Sequence, residues 1–126
     1  MSNTFSIVLP ERLGIGAFDI LDVATDYRKR EINICIIENN KTFFYKKLLD
    51  EKKYNSGLFG DTFSVELITN TDTGDELYYE IFDKCKIKSI EKNKKASALT
   101  TGIFSTIHVT IKFKKIFLGS EWFSKG

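Results

Sequence analysis

The sequence predicts a mostly β fold, a sandwich or barrel of about seven antiparallel strands with one amphipathic α-helix. Apolar and polar residues alternate along several short segments, most regularly in STIHVTIKFKKI, residues 105–116, as in strands with one buried face. A single segment, residues 41–54, carries apolar residues at helical spacing. Strands and helices do not alternate along the chain as they do in a parallel sheet. The order of the segments therefore favours an antiparallel sheet.

Three strands are predicted before the helix. Residues 3–10, NTFSIVLP, form a short strand that ends at Pro10, because proline cannot donate to a β-ladder. Residues 17–23, AFDILDV, form the second strand, and a charged turn follows it. Residues 31–37, EINICII, are rich in β-branched side chains, which indicates a strand covered in part on both faces.

The predicted helix covers residues 41–54, KTFFYKKLLDEKKY. Lysines crowd its C-terminal end, where positive charge suits the helix dipole. One side of it carries, by helical spacing, the residues Phe44, Leu48 and Glu51, with Phe43 and Leu49 widening the apolar stripe. We expect this stripe to pack on one face or end of the sheet.

Four further strands follow the helix. Residues 62–69, TFSVELIT, and 76–82, ELYYEIF, predict a pair joined by a turn in which Gly74 can take a positive φ. Residues 86–91, KIKSIE, predict a separate short strand, and the alternating segment from residue 105 is the last. Residues 117–126 then form a tail. The predicted order is β-β-β-α-β-β-β-β.

Size and composition fit one domain spanning residues 1–126. The chain is 42% hydrophobic and 13% aromatic, enough for a buried core. Its net charge of +2 indicates no particular partner. Cys35 and Cys85 lie in predicted strands without metal-ligand spacing, so we expect them to pack as small apolar side chains.

The N-terminal stretch MSNTFSIVLPERLG lacks the basic and long apolar regions of a signal peptide. The apolar runs of the chain are also too short to span a bilayer. We therefore expect a soluble protein, made in a reducing cytosol and without a membrane partner.

Enzyme signatures are missing from the sequence. His108 is the single histidine, so a histidine-based metal cluster is excluded and a Ser-His-Asp arrangement would depend on it alone. Residues 14–19, GIGAFD, lack the third glycine and the following helix of a dinucleotide site. Residues 70–76, NTDTGDE, are too short for a calcium loop. We expect no enzymatic activity, no cofactor and no metal.

Lysines are densest in KCKIKSIEKNKK, residues 84–95. Lysines that alternate along a strand ordinarily form a solvated face. The alternative function is a small β-barrel module that binds nucleic acid through Lys84, Lys86, Lys88, Lys92, Lys94 and Lys95. Few aromatic residues fall on predicted wet faces, where bases would stack, so this function ranks second.

The last strand has an apolar side and a polar side. The polar side carries Thr106, His108, Thr110 and Lys112. An open antiparallel sheet has edge strands with unpaired backbone groups. Other segments must cover these edges, charged or irregular residues must protect them from pairing, or a partner must bind them. Identical copies that pair edge to edge around an axis would satisfy these edges and line the axis with the polar side.

Most of the chain resembles, as a pattern, the tail-tube proteins of contractile-tailed phages, which are related in fold to type VI secretion tube proteins. The segments FSVELITNTDTGDELYYEIFDKCKIKSIE and STIHVTIKFKKI resemble that family's strand–turn–strand, short strand and final alternating strand. The segment NTFSIVLP resembles its opening strand. The segment REINICIIENNKTFFYKKLLDEKK resembles its strand that runs directly into an amphipathic helix.

In that family six subunits form a ring whose sheets join into one barrel around a channel for DNA, and the rings stack into a tube. The resemblance implies a single tail-tube-like β-barrel domain in the virion tail, made in the host cytoplasm. Its expected partners are identical copies in a six-fold ring, neighbouring tail or baseplate proteins, and DNA that passes without sequence-specific binding. A main tube subunit and an initiator, baseplate or adaptor ring protein are all compatible with the pattern.

The resemblance also implies which strands face the channel. These are the strands near 17–23, 31–37, 63–69 and 105–113. The candidate channel-facing residues are Thr106, His108, Thr110 and Lys112.

Overall fold

A computed structural model describes residues 4–38, 43–55, 60–70, 77–96 and 103–118. The strands are β1 (Thr4–Val8), β2 (Ile20–Asp26), β3 (Glu31–Glu38), β4 (Phe63–Asn70), β5 (Leu77–Ala96), β6 (Ile103–Lys112) and β7 (Lys115–Leu118), and the helix is α1 (Phe44–Asn55). Two 3₁₀ turns, Glu11–Leu13 and Ala17–Asp19, precede β2. The prediction of a mostly β fold with one helix is confirmed.

All seven strands belong to one antiparallel sheet, curled like half a barrel. Its strand order is β1-β4-β5-β6-β3-β2, and β7 pairs with β5 beside this path. The 20-residue strand β5 joins the two halves of the sheet. Its first part pairs with β4 and β7, and its second part pairs with β6.

The continuity of β5 corrects the prediction of separate strands at 76–82 and 86–91. The chain between them bends without leaving the sheet. The register with β4 shifts between Phe63 and Val65, and Lys84 has a φ of 55°. A β-bulge of this kind absorbs extra residues and turns the strand, so no break is needed between the two segments.

Other boundaries also differ from the sequence-based prediction. The second strand begins at Ile20, after a 3₁₀ turn, and not at residue 17. The predicted tail contributes Lys115–Leu118 to the sheet as β7, because Lys115 follows β6 after a two-residue turn and pairs with Asp83. The predicted turn around Gly74 lies outside the described residues.

The core is formed by the apolar sides of both halves of the sheet and by α1. The predicted inward side of β6 is confirmed, since Ile107, Val109 and Ile111 are buried, as is Phe113 directly after the strand. They pack in one cluster with the buried isoleucines of β3 and with Val65 and Phe82. Cys85 is also buried, and its burial raises the pKa of the thiol to about 12.

Helix α1 packs mainly on β5. Its buried residues are Phe44, Leu48, Glu51 and Asn55. The predicted widening of the apolar stripe is wrong, because Phe43 is 70% exposed and Leu49 is 39% exposed. Adjacent helical residues point about 100° apart, so a helix that turns Phe44 and Leu48 into the core directs their neighbours away from it.

A buried glutamate, Glu38, accepts a hydrogen bond from the first turn of the helix. Glu38, at the end of β3, accepts a hydrogen bond from the Tyr45 backbone N–H at 2.7 Å. A carboxylate at a helix N-terminus satisfies a donor and suits the helix dipole. The helix has 12 residues, and within the described residues no helix is long and apolar enough to cross a membrane.

Candidate functional site

The polar side of β6 lies between β3 and β5. The strand register places His108 opposite Cys35 of β3 and Glu91 of β5. It also places Thr110 opposite Asn33, and the Thr110 hydroxyl donates to Asn33 Oδ1 at 2.9 Å. Side chains directly opposite each other lie on the same face of a sheet, so the polar surface continues across these three strands.

The predicted wet face is only partly exposed. His108 and Lys112 are exposed and Thr110 is half-buried. Thr106 is buried, with 7% of its surface exposed, so the prediction of a wet Thr106 is wrong for a single subunit. Alternation in the sequence determines the face of the sheet on which a side chain lies. It does not show whether neighbouring residues cover that side chain. Ile37, opposite Thr106, is itself half-buried.

A shallow groove of about 260 Å³ follows the polar side of β6. Its lining includes the polar residues Asp22, Asn33, His108 and Thr110, together with Cys35, which is half-buried. The groove offers hydrogen-bond donors and acceptors to a neighbouring surface. Across the described ranges, no group of three or more histidine, cysteine or acidic side chains is arranged to hold a metal ion.

In the described part of the chain, the path of the sheet begins at the edge strand β1 and ends at the edge strand β2, and β7 is a further strand with one neighbour, β5. Within the described residues, β1 pairs with β4 alone and β2 with β3 alone. The outer side of such an edge strand presents backbone donors and acceptors that another strand can bind. Large apolar side chains are exposed at the β1 and β2 edges. Val8 of β1 is 48% exposed, Leu21 of β2 is 52% exposed, and Phe18, just before β2, is fully exposed.

The exposed apolar residues at β2 were not identified from the sequence. The signal was present, because Phe18 and Leu21 interrupt the alternation of residues 17–23. Of the strands predicted to face a channel, β2, β3 and β6 are direct neighbours, whereas β4 lies on the far side of β5.

The lysines of residues 84–95 lie on both faces of β5. Lys86 is opposite Lys112 on the polar side, whereas Lys92 is opposite the core residue Ile107. Lys92 Nζ lies 2.8 Å from Glu38 Oε1 and 5.1 Å from the centre of the Tyr45 ring. This segment therefore does not present its lysines as one surface.

The other lysines of the segment have varied surroundings. Lys88 Nζ lies 2.6 Å from Glu31 Oε2, and Lys84 is exposed at the bend of β5. The side chains of Lys94 and Lys95 are outside the described part of the structure.

A wide depression lies at the C-terminal end of α1. It is lined by Arg12, Glu51, Tyr54, Asp61 and Thr62. Arg12 Nε donates to both carboxylate oxygens of Glu51 at 2.9 Å, and this hydrogen bonding raises the pKa of Arg12. Because the pair compensates the buried Glu51 charge, we assign it to the fold: it joins the first 3₁₀ turn to α1.

The turn between β2 and β3 is linked to β5 by Tyr27. The Tyr27 hydroxyl donates to Glu80 Oε2 at 2.6 Å. Partial burial, together with this hydrogen bond and the Glu80 charge, raises the pKa of Tyr27 to about 12, from 10.0.

We expect the stabilising effect of the Tyr27 hydroxyl to disappear at high pH. A folded-state pKa above the unfolded value means that this contribution is complete below pH 10 and is lost as the pH rises through 12. The melting temperatures of the wild type and Tyr27→Phe should therefore differ at pH 9 and converge towards pH 12. Tyr54→Phe, at an exposed position, is the control. A difference that stays constant over this range would contradict the prediction.

Within the described residues, the fold and the site define a mostly β protein with one helix and a curled sheet whose path begins and ends at the edge strands β1 and β2. Comparisons with protein-family models, with curated proteins and with solved structures find no match for this chain.

Proposed function

We propose that this protein is a structural virion protein that assembles with identical copies into a ring or tube, part of a phage tail channel for DNA. The open sheet carries the proposal. Its path begins at β1 and ends at β2, each with one strand neighbour in the described residues. If β1 of one copy pairs with β2 of the next, the sheet continues from subunit to subunit and both edges are satisfied.

Such a contact joins two different surfaces, so it is heterologous. Repetition of a heterologous contact gives a closed ring when the rotation between copies closes, and a filament when it does not. A curled sheet supports closure, since each copy adds its own curvature to a shared barrel. The resemblance to tail-tube proteins supports six copies, with the exposed His108 and Lys112 side of β6 towards the channel.

Apolar side chains at the edges also support the contact. Phe18 and Leu21 near β2, and Val8 in β1, are exposed in the single copy. Covering one side chain of the size of Phe18 contributes about 2 kcal/mol, which corresponds to about 30-fold in an association constant. Edge pairing would thus combine backbone hydrogen bonds with apolar burial.

The variant Leu21→Lys tests the proposed edge. A lysine on an edge strand opposes strand pairing, because its charge would have to be desolvated. We expect the wild type to form rings or tubes, and the association constant of the variant to fall by about 30-fold or more. Light scattering coupled to size-exclusion chromatography gives the mass, and negative-stain microscopy gives the shape.

Leu49→Lys is the matched control, since Leu49 is exposed on α1, which packs mainly on the central strand β5. It should leave assembly unchanged. A wild-type protein that remains a 14.5 kDa monomer at high concentration would refute the proposal. Equal loss of assembly in both variants would exclude the β2 edge as the contact.

A further inference from the structure

Three segments that are distant in sequence meet at one end of the sheet. The Phe113 N–H donates to the Arg30 carbonyl at 3.0 Å, and the Lys114 N–H donates to the Asp83 carbonyl at 3.2 Å. These bonds bring the β2–β3 turn and the β6–β7 turn beside the bend of β5. Lys112 is opposite Glu31 on one side and Lys86 on the other.

This end of the sheet is strongly basic. We call this region the basic end. Its cations are Arg28, Lys29, Arg30, Lys84, Lys86, Lys88, Lys112, Lys114 and Lys115. All are exposed except Lys86, which is half-buried. The acidic residues among them are Asp26, Glu31, Glu80 and Asp83. The nine cations exceed the four acids by five charges, whereas the whole chain carries only +2.

The four acids already have partners within the fold. Glu31 is buried and binds Lys88, and Glu80 accepts the Tyr27 hydroxyl. Asp83 accepts the Ser64 hydroxyl at 3.0 Å. Asp26 accepts the Lys29 backbone N–H at 3.1 Å, which places this carboxylate inside the turn. Each acid therefore has a hydrogen-bond or ion-pair partner within the protein, and the positive charges of this surface outnumber the negative ones.

The cations form a patch that extends in two directions. Lys86 and Lys112 are ladder partners on neighbouring strands, which lie about 4.8 Å apart. The other cations lie in the two turns, at the bulged positions of β5 and at the start of β7. A patch with this density of charge matches a partner that carries regularly spaced negative charges. Nucleic acids have that property, with one phosphate per 3.4 Å of each strand, about 1.7 Å per charge in a duplex.

We propose that the basic end binds the phosphate backbone of a nucleic acid. The patch comes from two turns and a strand bend, and it is not one side of an amphipathic helix with a large apolar face, the usual arrangement for binding a lipid surface. The remainder of the chain carries a net charge of only −3, which does not balance the five excess positive charges of the patch in a second copy. The proposal does not depend on ring formation.

The proposed surface differs from the one predicted from the lysine-rich segment. It retains Lys84, Lys86 and Lys88 but excludes Lys92, which is engaged with Glu38. Most of its cations lie outside residues 84–95, in the two turns, at the end of β6 and at the start of β7. Binding through phosphates predicts little dependence on base sequence.

The test uses a labelled 30-base-pair DNA duplex, an RNA duplex of the same length, and vesicles containing phosphatidylserine. Fluorescence anisotropy measures affinity for the duplexes from 50 to 200 mM salt, and flotation measures vesicle binding. The test variant is Arg28→Gln/Lys29→Gln/Lys114→Gln. The control variant, Lys46→Gln/Lys47→Gln/Lys52→Gln, removes the same charge from exposed positions of α1. Circular dichroism checks that both variants fold.

We expect the wild type to bind a duplex with an affinity that falls steeply as salt rises. The test variant should bind at least about tenfold more weakly, with a salt slope smaller by about three, one for each lost phosphate contact. The control should retain the wild-type slope. Comparison of the two duplexes identifies which nucleic acid is preferred.

Three results would overturn the proposal. The first is no duplex binding by the wild type at 50 mM salt. The second is equal weakening in the test and control variants, which would indicate a general effect of net charge. The third is vesicle binding as tight as duplex binding and equally reduced in the test variant. Each result is independent of oligomeric state, so it leaves the proposed ring to its own test.

Discussion

Replacing Phe82 by alanine is expected to lower the free energy of unfolding by about 4 kcal/mol. Phe82 is fully buried in β5. Its ring centre lies 4.8 Å from that of Phe113, with the ring planes at 60°, an edge-to-face contact that contributes beyond apolar burial. The substitution would remove both interactions and leave a cavity in a close-packed core.

Urea unfolding followed by circular dichroism measures this loss. The control is Phe18→Ala, because Phe18 is fully exposed in the single subunit. Its unfolding free energy should change by less than about 0.5 kcal/mol in a monomeric sample. A loss below about 1 kcal/mol for Phe82→Ala would mean that this region is not packed as described.

The second large effect is expected for Asn55→Ala, at about 3 kcal/mol. Asn55 is 1% exposed at the end of α1. Its Nδ2 donates to the Asp61 carbonyl at 2.6 Å, and its Oδ1 accepts the Ile87 N–H at 3.4 Å. One side chain therefore satisfies two backbone groups on two different segments. Alanine would leave both without that partner, and a buried unsatisfied polar group is costly.

Asn93→Ala is the matched control, since Asn93 is exposed in the same strand as Ile87. Hydrogen exchange adds a local measurement to the unfolding free energy. The Ile87 amide should exchange faster in Asn55→Ala, and more so than the global loss of stability explains. If the two asparagine variants are equally stable, the assigned role of Asn55 is wrong.

Periodicity predicted the features that depend on neighbours along the chain. The inward side of β6 followed from the alternation of Ile107, Val109 and Ile111, which continues to Phe113 just after the strand; the structure buries all four. The position of α1 followed from Phe44 and Leu48 at helical spacing. These patterns are reliable because a one-residue slip would move the whole apolar set to the wrong face.

Features that depend on three-dimensional contacts were not predicted. The sequence of residues 83–85 contains neither glycine nor proline, so nothing distinguished a bend within β5 from a break between strands. Thr106 was placed on the correct side of β6 but is covered by its surroundings. The basic end needs the register of β6 with β3 and β5, which a single sequence does not contain.

The buried acids illustrate the same limit. Glu38 and Glu51 are polar residues in regular segments, and each is 6% exposed in the structure. Their burial is compensated by Lys92 and Arg12, respectively. Such pairs join residues far apart in sequence, and local patterns cannot show which acid meets which base.

The bent strand β5 has a consequence for how the molecule loses its structure. Residues 77–85 of β5 pair with β4 and residues 86–96 pair with β6, yet both parts belong to one uninterrupted backbone segment. Because β5 pairs in both halves, melting of one half would leave part of β5 unpaired and would remove support from the other half. The two halves are therefore expected to unfold cooperatively, in a single transition, and not as independent units.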